Sequence, residues 1–175
     1  MWQHGIIPVA TSLLLGLAVL LLVLASLRDL ATRIVPNAIP LALAATGLAE
    51  SALQGRLVLA MFAGLLVFAF AFLCWQMRWI GGADVKMLGA AAILVPPTAC
   101  ASFVLATGVA GGALGLFYLI ARRLIAAPAP CLAGAAAHHA PLLTRIWRAE
   151  RWRIHRGCPL PYACAIACGA LLMLR

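Results

Sequence analysis

Asp29 and Asp84 are the only aspartates in a chain of 175 residues, 66% of them hydrophobic. Each stands at the edge of a long apolar run with basic residues nearby, Arg28 and Arg33 around the first and Lys86 beside the second. An ionisable carboxyl close to hydrocarbon is costly to keep, so an acid in that position points to a working site before it points to a structural one. Two such acids brought together would split their proton affinities, leaving one protonated and one ionised near neutral pH. That state suits peptide hydrolysis by water: the carboxylate takes a proton from the water while the acid polarises the scissile carbonyl.

The local context of each acid predicts how it is held. In Asp29-Leu30-Ala31-Thr32-Arg33-Ile34-Val35-Pro36-Asn37 the acid is expected to end a first helix, with Pro36 as the turn and Asn37 as the N-cap of a second. In Gly81-Gly82-Ala83-Asp84-Val85-Lys86-Met87-Leu88 the small residues ahead of Asp84 let an extended peptide approach the carboxyl closely. A position at a helix start also favours the negative charge of Asp84. Taken singly, each segment also fits a plainer role, Arg28 with Asp29 as a helix-end anchor and the glycine segment as a capped turn. Metal chemistry has little support. The six cysteines show no C-x-x-C spacing, Cys164 and Cys168 share a helix face as packing residues, and the His138-His139 pair lacks a nearby acidic ligand.

These acids must be positioned by membrane helices. A mean hydropathy of +1.08 with 10% charged residues excludes a soluble globular domain. The net charge of +9 would by itself permit nucleic-acid binding, but the basic residues cluster between apolar spans, as loops at an anionic membrane surface do. The apolar runs predict an all-α fold of about six transmembrane helices: Ile6–Leu27, Ala38–Leu53, Leu57–Met77, a short one over Asp84–Val95 stopped by Pro96-Pro97, Thr98–Ile120, and Leu160–Leu174. The first carries no leading Lys or Arg, unlike a secretory signal. With the N-terminus outside, eleven of the 13 basic residues fall on one side, leaving Arg56 and Arg175 on the other. The positive-inside rule makes the richer side cytoplasmic and puts both aspartates there. Residues 1–175 are expected to form one membrane-embedded domain with a basic cytoplasmic loop at about 122–158. Within that loop Leu142–His155 interleaves Trp147 and Trp152 with arginines, as a surface-lying lipid anchor does, and Gly108, Gly111, Gly112 and Gly115 favour close helix packing within the bundle or between protomers of a homo-oligomer.

Together the two acid-bearing segments resemble the active-site segments of type IV prepilin peptidases, the membrane aspartyl proteases of the GxGD class. The segment Pro161-Tyr162-Ala163-Cys164-Ala165-Ile166-Ala167-Cys168-Gly169 is similar to that family's last helix. The resemblance implies Asp29 and Asp84 as the catalytic pair, with Gly81, Gly82, Ala83 and Lys86 at the substrate, and no metal or other cofactor. It implies removal of leader peptides from prepilins by a multi-pass protein of the bacterial inner membrane, with membrane lipid as the other partner and no nucleic acid. The compact length is similar to the peptidases of tight-adherence (Flp) pilus systems. Ala83 departs from the pattern, which has glycine there. A competing reading is a small transporter subunit using the two acids as a proton or cation relay; internal repeats or broken helices, expected of such a protein, are not evident in the sequence.

Overall fold

The computed structural model describes residues 3–124 and 160–174, and these are all-helical. The anchor segment Leu142–His155, the His138-His139 pair, Cys131 and Cys158 lie outside the described residues. The helices are α1 (Gln3–Thr32), α2 (Ala38–Leu53), α3 (Leu57–Gln76), α4 (Gly82–Leu94), α5 (Cys100–Leu124) and α6 (Tyr162–Met173), with a 3-10 turn at Pro97–Ala99 before α5. The chain divides into two compact units, Met1–Gly111 with Pro161–Arg175, and Gly112–Leu160. The first contains both aspartates. The described part of the second is chiefly the end of α5, whose last turn carries Arg122 and Arg123 where cations suit the helix dipole.

Helix ends follow local chemistry, with two surprises. α2 closes on Gly55 at φ +69, with the Arg56 N–H donating to the Ser51 carbonyl at 2.9 Å, a Schellman-type end. α3 closes the same way, the Trp79 N–H donating to the Cys74 carbonyl at 3.0 Å, and α1 closes with the Arg33 N–H on the Asp29 carbonyl at 2.9 Å, both on left-handed residues that are not glycine. Arg33 (φ +58) follows α1 and Arg78 (φ +62) follows α3, conformations that cost an L-residue about 1–2 kcal/mol. The sequence predicts a first apolar span over Ile6–Leu27 with Asp29 ending its helix, yet α1 runs on to Thr32, so Asp29 sits inside its last turns. Pro36 then biases Val35 toward extended backbone and separates α1 from α2. α4 begins two residues before its expected start, which puts Gly82 and Ala83 in its first turn, and it stops at Pro96-Pro97.

Three helical stretches, Ile7–Thr32, Leu57–Gln76 and Pro97–Leu124, are long and apolar enough to cross a bilayer; α2 and α6 are shorter apolar helices. α4, with 13 residues, rises about 20 Å against a hydrocarbon core of about 30 Å. It is the centre of the first unit, sheathed by other helices and burying Val85, Met87, Leu88, Leu94 and a run of small residues against α2, α3 and α6. Small residues permit this close packing. A Cβ on Gly47 of α2 would stand 3.0 Å from the Leu94 backbone nitrogen, and one on Gly89 of α4 would stand 3.0 Å from the Phe68 side chain of α3. Around this centre Leu13, Val58, Leu65 and Leu105 are exposed, as lipid-facing side chains are. The chain is a membrane protein, all-helical in its described residues.

Candidate active site

The two aspartates reach one end of the first unit from different directions. Asp29, at 7% exposure, lies in the last turns of α1. Its Oδ2 accepts the backbone N–H of Ala163, in the first turn of α6, at 3.1 Å. Asp84 is half-buried in the first turn of α4, outside the three candidate spans, and its own N–H donates to the Gly81 carbonyl at 3.1 Å. Burial, and after it the nearby charge of Asp29, push the Asp84 carboxyl up to about 6, against an opposing hydrogen bond from the Gly81 backbone. The sequence expectation that the two acids lie within each other's field therefore has a physical counterpart in the fold.

The flanking positions have distinct surroundings. Gly81 is extended (φ −77, ψ 150), and a Cβ there would stand 2.9 Å from Asp84 Oδ2, so its lack of a side chain leaves room for the carboxyl to fold back over the helix start. Gly82 faces the Trp75 indole, 3.4 Å from where its Cβ would be, and Ala83 is exposed. Lys86 is also exposed, and its Nζ donates to Asn37 Oδ1 at 2.9 Å. That bond joins the two motifs and corrects the expected role of Asn37. Its backbone is already helical (φ −59, ψ −21) and its side chain does not cap α2; it is turned to Lys86 instead.

Beside this bond a cavity of about 970 Å³ opens between α2 and α3 over α4. Asn37 and Lys86 line its polar part, and Leu41, Leu48, Phe62 and Leu65 are among its apolar walls. Sequence reasoning missed the part played by Ala163. The resemblance of Pro161-Tyr162 pointed to the segment, but a bond from a backbone N–H leaves no mark on residue type. Among the described residues no group of three or more His, Cys, Asp or Glu side chains could hold a metal ion.

The family model for type IV leader peptidases matches residues 16–116, a span that takes in both acid-bearing segments and more than half of the chain. The chain belongs to the type IV leader peptidase family. No curated protein and no solved structure matches it. The family match ends before α6, so the contact between Asp29 and Ala163 is a feature read from this fold.

Proposed function

We propose that this member of the family is an aspartyl endopeptidase that removes leader peptides from Flp-type prepilins at the cytoplasmic face of the bacterial inner membrane. The observation that carries the reading is the pair of acids, far apart in sequence, whose carboxyls share one electrostatic environment inside the family-matched span. In this mechanism one carboxylate takes a proton from water as its oxygen attacks the scissile carbonyl, and the other, protonated, donates a hydrogen bond to the carbonyl oxygen. The tetrahedral intermediate collapses as the amine leaves with a proton from the dyad. Exposed Ala83 and the open edge at Gly81 give an extended peptide access to Asp84, and the apolar cavity beside Lys86 suits a hydrophobic segment arriving from the bilayer. Six membrane-embedded helices with the N-terminus outside bring both acids to the side rich in Lys and Arg.

The test is co-expression with a candidate prepilin, scoring leader loss by mass. Asp29→Asn and Asp84→Asn each abolish cleavage, and the double variant is no worse than either, because members of one catalytic unit are not additive. Substantial cleavage by a properly inserted single variant would overturn the dyad.

A further inference from the structure

α6 begins without a side-chain cap. Its N-cap residue is Pro161, which can offer neither a capping oxygen nor an N–H, and the first-turn N–H groups of a helix have no partner within it. Asp29 supplies what is missing, from 134 residues away, by accepting the Ala163 N–H at 3.1 Å in a buried position. A carboxylate at a helix N-terminus is also where the dipole favours negative charge. A second contact grips the same residue. Ser26, three positions before Asp29 and on the same face of α1, donates its hydroxyl to the Leu22 carbonyl at 2.9 Å and shares it with the Ala163 carbonyl at 3.4 Å, and the Cys164 thiol donates to the Ser26 carbonyl at 3.8 Å. Thus α1 holds both backbone polar groups of Ala163.

The neighbouring residue reaches the other acid. Tyr162 lies within reach of the Asp84 charge. Its ring packs against α5 at Gly111, where an added Cβ would stand 2.6 Å from the ring and so force it to move. One helical turn therefore bonds Asp29 through Ala163 and, through Tyr162, lies within the field of Asp84.

We infer that the first turn of α6 is a third working part of the active site, in which the Ala163 N–H is a positioning group that holds the Asp29 carboxylate at its working distance from Asp84. This rests on the peptidase reading. It adds that the C-terminal helix governs turnover as well as packing. A hydrogen bond to a carboxylate inside a water-poor site fixes the acid's direction, and loss of that direction lowers the rate of the chemical step more than it lowers affinity for a substrate bound elsewhere.

The experiment separates the N–H from the helix that carries it. Lactic acid placed at position 163 by nonsense suppression turns the Ala163 amide into an ester and deletes the donor with almost no change of shape. Ala163→Pro deletes it more coarsely, at a first-turn position where proline is tolerated. Ala163→Gly keeps the donor and only weakens the helix. With full-length protein in membranes and a prepilin substrate, the ester variant is expected to lose about tenfold or more in kcat with KM within about threefold of wild type. Ala163→Gly keeps kcat within about threefold, even where its thermal midpoint falls as far as that of the ester. Wild-type kcat in the ester variant overturns the inference, as does an equal kcat loss in Ala163→Gly. A wild-type enzyme that leaves the leader in place overturns the peptidase reading itself, so the two failures are told apart in one assay.

Discussion

Under the proposed dyad, Asp84 is the residue whose protonation sets the pH window. Its carboxyl is pushed up to about 6 by burial and by the charge of Asp29. A working dyad needs one proton shared between two acids, and that proton is lost as pH rises through the upper of the pair's apparent values. Leader cleavage is therefore expected to fall above about pH 6, measured as kcat/KM between pH 5 and 8.5. The stability consequence has a definite sign. A carboxyl raised from its ordinary 3.8 favours the fold in its neutral form, so the stability it contributes is full below about pH 4 and lost as pH passes 6. Asp84→Asn, which cannot ionise, is expected to unfold at a higher temperature than wild type at pH 8, with the gap closing toward pH 4. A constant gap across that range would show that Asp84 does not carry the titration.

α4 is a short helix clamped at both ends. At its start Lys86 reaches Asn37. At its end the Arg56 guanidinium donates to the Leu94 and Val95 carbonyls, each at 3.2 Å, where a cation meets the negative pole of the helix. Arg56 is in turn paired with buried Glu50, which also accepts from Gln54, and the Ser51 hydroxyl donates to the Ile93 carbonyl at 3.2 Å. The α2–α3 turn thus fixes the far end of the helix that carries Asp84. Breaking a buried pair leaves one charge uncompensated. Arg56→Met is expected to cost about 3 kcal/mol, the low end for such losses because Arg56 keeps some contact with solvent. Glu50→Gln added to Arg56→Met should recover part of it. Thermal unfolding in detergent checks both, and a double variant no more stable than Arg56→Met alone would show that the pair is not what holds the turn.

Across the first unit, the bonded helix ends of α1, α2, α4 and α6 sort into two sets. Asp29, Asn37, Asp84, Lys86 and Ala163 are joined or coupled at one end of the first unit, while Glu50, Arg56, Leu94 and Val95 are bonded at the other. Eleven basic residues fall to the first side under the proposed topology, which makes it cytoplasmic. Ile34→Cys in the α1–α2 connection and Ala52→Cys near the α2–α3 turn, each in a background freed of native cysteines, test this with an impermeant thiol reagent on cells whose outer barrier is open. Position 52 is expected to label and position 34 to stay dark. The reverse pattern would place both acids on the wrong face.

Residue identity alone nominated the groups proposed to do the chemistry, because a chain with only two aspartates, each flanked by cations and hydrocarbon, offers few other sources of acid–base catalysis. Helical class and the breaks at Pro36, Gly81 and Pro96 were equally legible, since they depend on local backbone preference. Only the tertiary structure made α4 the centre of the first unit. Apolar and small residues look the same in sequence whether they face lipid or another helix, so neither periodicity nor hydropathy separates a core helix from a span. Only the fold turned Asn37 from a cap into a partner for Lys86, and put left-handed arginines at 33 and 78 where local preference favours glycine. It also set the Ala163 N–H against Asp29. That donor belongs to every residue but proline, so its role is decided by where α6 packs and not by which side chain it bears.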